Sequence, residues 1–431
     1  MTSPGPISPS DPLPAAAPLT QPIATTLVGP RYQVGLFLAQ FGLFAALLTP
    51  VMVSMQLKAQ QIDPAHPATV IGTVLPIGAF GALLANPLAG ALSDRTRTRW
   101  GRRRPWMIGG IVVFLGALAW IAFADSTIEL IFAWLLGQVA ANAAFAALTA
   151  SFADNVPEIQ RARSSSVIAL AQNIAILAGT YLSVFLVSQL PLLFIIPGIV
   201  AVIFIVVYAA VCRDELPEYP LKRFTLVNIV SSFWTNPFKN PDFGFAWWSR
   251  FLIIFATFMF TTYRLLYMED HIGLSTAKAT SAIAFGVLLY TIVLMAAAAV
   301  SGWLSDKLGR RKIFVGGSTA LTALGLIVLA HSSTVGSFYV AEVIMGAAYG
   351  IYSAVDTALV VDVLPNADRP GKDLGVLNIA NALPQSLAPA LAAFLLGVGS
   401  ATQQNYTLML WGAGVAAILG ALAIIPVKKV R

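Results

Sequence analysis

Long apolar stretches separated by short polar segments follow one another along almost the whole chain. Twelve of these stretches reach the roughly 20 residues that a helix needs to cross the hydrocarbon core of a bilayer. The pattern therefore predicts an all-α integral membrane protein with twelve transmembrane helices. The predicted spans lie near residues 34–56, 67–92, 106–124, 128–151, 163–188, 190–212, 246–268, 279–304, 312–331, 334–361, 373–397 and 404–427.

The first and second halves of the chain repeat each other. GALSDR at 90–95 corresponds to GWLSDK at 302–307, and GRRR at 101–104 corresponds to GRRK at 309–312, with a short insertion in the first copy. A duplicated helical unit in one orientation predicts two pseudo-symmetric six-helix bundles with a substrate site between them. The correspondence continues at constant spacing in the pairs Asp154 and Asp362, Pro157 and Pro365, Arg161 and Arg369, and Asn173 and Asn381.

The repeat also sets the expected domain boundaries. We predict an N-terminal six-helix bundle at 31–212 and a C-terminal six-helix bundle at 246–431. Residues 1–30 are rich in Pro, Ser, Thr and Ala, which predicts a disordered cytoplasmic tail. The segment 213–245 combines prolines with charged residues, which predicts a cytoplasmic linker between the bundles.

Composition and charge agree with a bilayer environment. The 431 residues are 58% hydrophobic and only 10% charged, with a mean hydropathy of +0.79, whereas about a quarter of the residues in soluble proteins are charged. All but three of the 26 Lys and Arg fall on one side of the predicted spans. The positive-inside rule then predicts that both termini are cytoplasmic, in the cell membrane. The exceptions are Lys58, Arg264 and Lys278.

Other function classes find little support in the residues. The +7 net charge is dispersed among short loops beside lipid head groups, so we expect no nucleic-acid partner. Cys212 is the only cysteine, and the three histidines lack metal-ligand spacing, so no metal or cofactor is expected. Nothing resembles a catalytic set, so we expect no enzyme. A small-molecule substrate, protons and the lipid bilayer are the expected partners of a chain that functions as a monomer.

The repeated motif resembles the loop signature of the major facilitator superfamily. The longer first copy, residues 93–106, is similar to the corresponding loop of sucrose transporters and related glycoside–cation symporters. The resemblance implies the major facilitator fold and secondary active transport by alternating access, with the first, fourth, seventh and tenth helices lining a central cavity. It favours proton-coupled uptake of a sugar or glycoside.

The resemblance further implies a latch on the cytoplasmic side. The family's motif aspartate is thought to bridge neighbouring helices there, so Asp94 and Asp306 would latch against the starts of the spans near 373 and 163. An anion at a helix C-terminus is also unfavourable without a nearby cation or helix N-terminus. The alternative is a solvated charged turn that only enforces topology. The predicted latch residues are Asp94, Arg95, Gly101, Arg102, Asp154, Asp306, Lys307, Gly309, Arg310 and Asp362.

Ionisable residues inside apolar spans are the main candidates for function, because an unpaired charge there costs several kcal/mol. Glu342 and Asp356 share one face of the tenth span, and Arg250 and Arg264 share one face of the seventh. Antiparallel packing would bring Asp356 to Arg250 and Glu342 to Arg264. Our hypothesis is that Asp356 or Glu342 carries a coupling proton, while Arg264 competes for that carboxylate or binds substrate. Structural ion pairs are the alternative.

Uncharged polar residues add candidates for substrate binding, because an amide offers both donors and acceptors to a hydroxyl-rich ligand. The same amides can join helices instead. The substrate or charge-partner candidates are Arg250, Arg264, Tyr349, Asn142, Gln138, Asn378, Gln385 and Gln40.

Two other functions stay open: a drug or metabolite exporter running on proton antiport, and a non-transporting membrane sensor.

Overall fold

A computed structural model describes residues 26–214, 239–363, 370–400, 402 and 404–428, without the side chains of 357, 358, 360–362, 370–375 and 378. Within this part of the chain nearly all residues are helical and no strand is present. Twelve of the helices are long and apolar enough to cross a membrane, which confirms the predicted all-α membrane fold. They are α1 Pro30–Ile62, α2 Pro67–Arg95, α3 Arg104–Phe123, α4 Thr127–Asn155, α5 Glu158–Leu186, α6 Leu190–Val211, α7 Pro241–Thr261, α8 Thr276–Leu308, α9 Arg311–Ala330, α10 Val335–Val363, α11 Pro370–Gly397 and α12 Tyr406–Ala423.

The helices pack as two groups of six in chain order. In the first group α1 packs against α5 and α6, α2 against α4, and α3 against α4 and α6. In the second group α10 packs against α8 and α9, and α12 against α7 and α9, while α11 packs against α7. The two groups meet chiefly where α2 contacts α11 and where α5 contacts α8. Residues 1–25 of the predicted tail and 215–238 of the predicted linker lie outside the described residues.

Two helices are interrupted at equivalent positions of the two groups. After its first 20 residues α1 passes through a π-helical turn, Pro50–Ser54, before continuing as Met55–Ile62. After 21 residues α7 ends at Thr261, and the chain resumes as a short helical turn, Arg264–Leu266, and a π-helical turn, Tyr267–His271. Proline, which has no N–H to donate, explains the first interruption. The seventh predicted span, near 246–268, is present as a membrane-length helix but ends seven residues earlier, at Thr261.

The alternating direction of the helices gives the molecule two distinct ends. We call the end that carries the loops 96–103 and 309–310 the basic face, because Arg and Lys concentrate there. The opposite end carries the loops 63–66 and 272–275 and is called the far face. We call 264–271 the α7 extension; it lies at the far face.

Candidate substrate cavity, ion pairs and gate

A cavity of about 370 Å³ lies at mid-depth between the two groups of helices. Its wall is formed by α1, α2 and α4 of the first group and by α7 and α11 of the second. The size falls within the range of small-molecule binding sites. In the described part of the chain, its lining contains no charged side chain.

Carboxamides supply most of the polar groups of this wall. On α4, Asn142 Nδ2 donates to the carbonyl of Gln138 at 2.9 Å and lies 3.3 Å from Gln138 Oε1. Asn86 Nδ2 of α2 lies 3.5 Å from Asn142 Oδ1. Across the cavity on α11, Gln385 Nε2 donates to the carbonyl of Asn381 at 3.0 Å. These groups can exchange their partners for the hydroxyls of a ligand because each amide both donates and accepts.

Aromatic rings and one tight helix contact complete the wall. Phe44 and Phe145 meet edge to face, with ring centroids 5.6 Å apart, and Trp134 lies nearby in the same lining. Gly78 of α2 permits this arrangement, because a Cβ at that position would overlap the indole of Trp134. Aromatic faces flanked by amides suit a ligand that has both apolar ring faces and polar edges.

Two ion pairs join α7 and its extension to α10. The guanidinium of Arg250 contacts Asp356, with Nε donating to Oδ2 at 2.8 Å. In the other pair Arg264 Nε lies 3.3 Å from Glu342 Oε1. The structure thus brings together the four charged residues that the sequence placed on facing surfaces. Their role in proton coupling stays a prediction.

The two pairs differ in how completely they are hydrogen-bonded. Asp356 accepts two N–H groups from Arg250. Glu342 is 0% exposed, and neither of its oxygens has a hydrogen-bond partner of good geometry among the described residues. Arg264, with its Nε likewise unpartnered, also lies over the ring of Phe260 at 5.3 Å. A buried pair held by charge alone recovers less of its desolvation cost than a fully hydrogen-bonded pair.

Closure between the two groups occurs at the far face. We call this contact region the far gate: Gln56, Gln60, Ala68 and Gly72 on one side, and Tyr263, Leu265, Leu266, Glu269 and Ala393 on the other. Gln56 Oε1 accepts from the backbone N–H of Leu265 at 3.0 Å and of Leu266 at 3.3 Å. Gln60 Nε2 donates to Glu269 at 2.6 Å. Tyr263 Oη donates to the carbonyl of Pro389 at 2.8 Å and lies 3.2 Å from that of Ala68.

Glycines on α2 show the contrast between the two faces. At Gly72, near the far face, a Cβ would overlap that of Ala393 on α11. At Gly90, near the basic face, a Cβ would meet no atom within 4 Å. Among the described residues, the contact of α2 with the second group is therefore tight at Gly72, whereas Gly90 has open space beside it.

At the basic face, the first copy of the motif forms an ion-pair network within its own six helices. Arg103, 5% exposed, contacts Asp94 at 2.5 Å and Asp154 at 3.1 Å, and Arg102 contacts Asp154 at 2.9 Å. Gly101 has a φ of +101°, which suits glycine. Asp214 Oδ2 accepts from the backbone N–H groups of Arg103 and Arg104 at 2.8 Å each and so caps the start of α3.

The second copy is simpler. Asp306 lies 3.7 Å from Arg311, and Lys307 lies over the ring of Trp303 at 5.0 Å. Gly309 ends α8 with a φ of +62°, and Arg310 precedes the first residue of α9. Asp94 and Asp306 thus each contact an arginine of their own loop. The side chains at 370–375, the expected partner region of Asp94, lie outside the described residues, so the latch stays a prediction.

The remaining candidates fall in several places. Gln138, Asn142 and Gln385 line the cavity, whereas Arg250, Arg264, Gln40 and Tyr349 do not. Gln40 is buried with its Oε1 unpartnered, Tyr349 packs against Tyr352, and Arg95 donates to the carbonyl of Ala91 at 2.8 Å. The side chains of Asn378 and Asp362 lie outside the described residues. No residue of α10 contributes to the described cavity wall, because its buried acidic groups face α7 and its extension.

Sequence reasoning missed several residues that the geometry makes important. Asn86 sits in a span that was not expected to line the cavity, and Gln56 and Gln60 share one face of α1 at a spacing of one helical turn. That spacing was the available signal for the gate. Arg103 and Asp214 carried no distinguishing signal, since each lies among other charges.

These features are those of a membrane transporter: twelve membrane-length helices in two groups, a cavity between them, and closure at one face. A family model for the Major Facilitator Superfamily matches residues 33–293 and 280–431. The chain belongs to the Major Facilitator Superfamily. In structure it is similar to a variant of the nucleoside transporter NupG, with a TM-score of 0.75 at 10% identity over 92% of this chain and 99% of that one.

Curated relatives match shorter stretches. The chain is 54% identical over 48 residues to "Uncharacterized symporter sll1374" of Synechocystis sp., covering 11% of this chain and 9% of that protein. It is 30% identical over 112 residues to "Uncharacterized MFS-type transporter YfiU" of Bacillus subtilis, covering 26% and 21%. It is 33% identical over 64 residues to "Inner membrane symporter YicJ" of Escherichia coli, covering 15% and 14%. The alignments thus span at most about a fifth of these relatives.

Proposed function

We propose that this transporter is a proton-coupled symporter of the cell membrane that imports an uncharged, hydroxyl-rich solute such as a sugar or glycoside. The observation that carries the proposal is the cavity wall, in which carboxamides from α2, α4 and α11 surround aromatic rings. A charged solute in that wall would lack a countercharge, and an unpaired charge in such surroundings costs several kcal/mol. Neutral rings bearing hydroxyls fit both the amides and the aromatic faces.

The proton site of the proposal lies outside the cavity. Glu342 and Asp356 are buried carboxyls, each beside one arginine, so gain of a proton changes the charge of its pair. Two of the relatives are named symporters, in agreement with coupled uptake. The proposed orientation places the basic face and both termini in the cytoplasm, as the distribution of Lys and Arg predicts. The far gate would then face outward.

Uptake into proteoliposomes with an imposed pH gradient tests the proposal. We expect accumulation of neutral mono- or disaccharides and none of sugar phosphates or sugar acids. Asn142→Leu is expected to raise KM about tenfold, the equivalent of one lost hydrogen bond of about 1.4 kcal/mol. Asn173→Leu is the matched control, because among the described residues its amide bonds to the carbonyl of Ala169 at 2.9 Å on α5, away from the cavity.

Two outcomes would overturn the proposal. Failure of every neutral sugar, together with uptake of a charged solute, would exclude the substrate class. Gradient-driven accumulation that survives in both Glu342→Gln and Asp356→Asn would exclude the proton site.

A second candidate, proton-driven export of an amphiphilic drug or metabolite, is favoured by the leucines and phenylalanines that share the cavity wall with the amides. The same vesicles distinguish the two. Export predicts that a lipophilic cation or neutral dye moves against its gradient in exchange for protons, with no accumulation of sugar.

A further inference from the structure

The α7 extension is tied to the first six helices through its own backbone. A helix that begins anew at Arg264 has N–H groups in its first turn without partners inside the helix. Gln56 Oε1 accepts two of them, those of Leu265 and Leu266, across the far gate. Gln56 is fully buried and its Nε2 donates to the carbonyl of Met52 at 2.7 Å, so its amide is fixed at both ends.

The same extension is tied to α10 by a charge. Arg264 directly precedes the two residues that Gln56 holds, is 6% exposed, and lies beside Glu342. The preceding residue, Tyr263, contacts the carbonyls of Ala68 and Pro389 through its hydroxyl. Four consecutive residues, 263–266, thus make the far-gate contacts that involve backbone groups. They also provide, through Arg264, the only described link from the gate to a buried carboxylate of α10.

We propose that residues 263–266 act as a clamp that holds the far gate closed through two attachments. Gln56 is a positioning residue that holds the backbone of Leu265 and Leu266, and Glu342 holds Arg264 in the position that the closed gate requires. Loss of charge on Glu342 leaves the guanidinium of Arg264 buried without a counterion. Burial of an unpaired cation is strongly unfavourable. Movement of the α7 extension toward water would hydrate the guanidinium and remove this cost. The same movement separates Leu265 and Leu266 from Gln56 and opens the gate.

The surroundings of Glu342 identify it, rather than Asp356, as the group that controls the gate. Arg264 is its ionic partner, and in the described part of the chain Tyr290 of α8 is a further titratable group close enough to interact with both. Asp356 and Arg250 lie several turns away toward the basic face and do not contact the gate residues. Glu269 and Asp270 belong to the extension itself and bond to Gln60 and Tyr406. This assignment rests on the proposed function only in naming a proton as what neutralises Glu342.

Distances between spin labels test the clamp without substrate or a pH gradient. Cys212 is the only cysteine and is buried, so Cys212→Ala provides a clean background. Labels at Ala65 and Lys278, both exposed, report on the far face, and labels at Ile159 and Leu308 report on the basic face. All measurements use the full chain in lipid nanodiscs at one pH.

Each variant has a distinct expected result. Glu342→Gln and Gln56→Leu are expected to shift the far-face distances to longer values and the basic-face distances to shorter ones. Gln56→Glu, neutral because it is buried without a cationic partner among the described residues, keeps an acceptor for both N–H groups and a donor for the carbonyl of Met52, and is expected to leave the gate closed. The double variant Arg264→Gln with Glu342→Gln removes the unpaired cation and is expected to restore the distances of the parent protein.

The double variant separates the clamp from simple loss of stability. If Glu342 were merely structural, removal of both partners would disturb the far face at least as much as removal of one. The proposal is overturned if Glu342→Gln leaves both distance distributions unchanged, or if the double variant opens as far as the single one. Failure of sugar uptake would overturn the proposed function and leave these distances as they are, so the two results are distinguishable.

Discussion

Replacement of Gly72 by alanine should shift the protein away from the closed far gate. A Cβ at this position would overlap Ala393 Cβ and come within 3.1 Å of Tyr263 Oη and 3.3 Å of the carbonyl of Pro389. Two of these three neighbours are backbone or Cβ atoms, which cannot turn aside as a flexible side chain can. An extra methyl in such a tight contact costs about 1–3 kcal/mol. Residue 72 lies inside α2, so the gain in helix propensity should be similar in both conformations and cancel.

The steric cost applies only while α2 and α11 are in contact, so it raises the ratio of open to closed molecules by about 5- to 150-fold.

Alkylation of a cysteine at position 262 measures this ratio. Thr262 is fully buried, with a hydroxyl that is unpartnered among the described residues, in the cavity wall next to the gate. In Cys212→Ala protein, a cysteine in place of Thr262 should react with a membrane-impermeant maleimide from the far face only when the gate opens. Gly72→Ala should raise this rate by the same factor.

Gly116→Ala is the matched control, because a Cβ at Gly116 meets no atom within 4 Å on the exposed side of α3. Its alkylation rate should equal that of the parent. An unchanged rate in Gly72→Ala, or an equal increase in Gly116→Ala, would refute the inference that α2 and α11 seal this face.

Three further predictions concern two residues beside helix ends and one residue of the α7 extension. Arg103→Gln should lower stability by about 1–3 kcal/mol in thermal unfolding, because Asp94 and Asp154 lose a charged hydrogen-bond partner, whereas exposed Arg99→Gln should have no effect. Asp214→Ala should cost about 0.5–2 kcal/mol in the same assay by uncapping α3, and exposed Asp125→Ala should cost little; equal losses would contradict the capping role. Burial raises the pKa of Glu269 in the closed gate, so its carboxyl binds a proton more tightly there than when hydrated. The free energy that protonated Glu269 contributes to the closed gate is therefore fully present below its ordinary pKa. This contribution is lost as pH rises through the raised pKa. In the Arg264→Gln, Glu342→Gln background, label distances at 65 and 278 should lengthen over that range, and Glu269→Gln should abolish the change.

Much of the fold was predictable because it depends on local pattern. The length of the apolar runs gave the twelve spans, and helical spacing placed Arg250 opposite Asp356 and Arg264 opposite Glu342 before any coordinates. These are properties of single helices and of one antiparallel pair. They need no knowledge of how the two groups of helices meet.

The cavity and gate depend on that meeting, and here the sequence was less informative. The segment 257–268 contains no proline or glycine, so nothing local indicates that α7 ends at Thr261. The interruption is stabilised from outside, by Gln56 and by the carbonyls that Tyr263 reaches. Likewise, the family resemblance implied that the tenth helix lines the cavity, but its residues Glu342 and Asp356 are paired with arginines of the second group of helices. α2 and α11 join α1, α4 and α7 in the wall; Gln385 of α11 was among the candidates from sequence, whereas Asn86 of α2 was not.

We expect the two groups of six helices to rock about the cavity, so that closure at one face accompanies opening at the other. The most direct measurement is the pair of distance distributions in otherwise unmodified Cys212→Ala protein, between labels at 65 and 278 and between labels at 159 and 308, with and without saturating substrate. Rocking predicts that every shift of the far-face pair to longer distances is matched by a shift of the basic-face pair to shorter ones. Distances that lengthen together, or one face that changes while the other stays fixed, would contradict it.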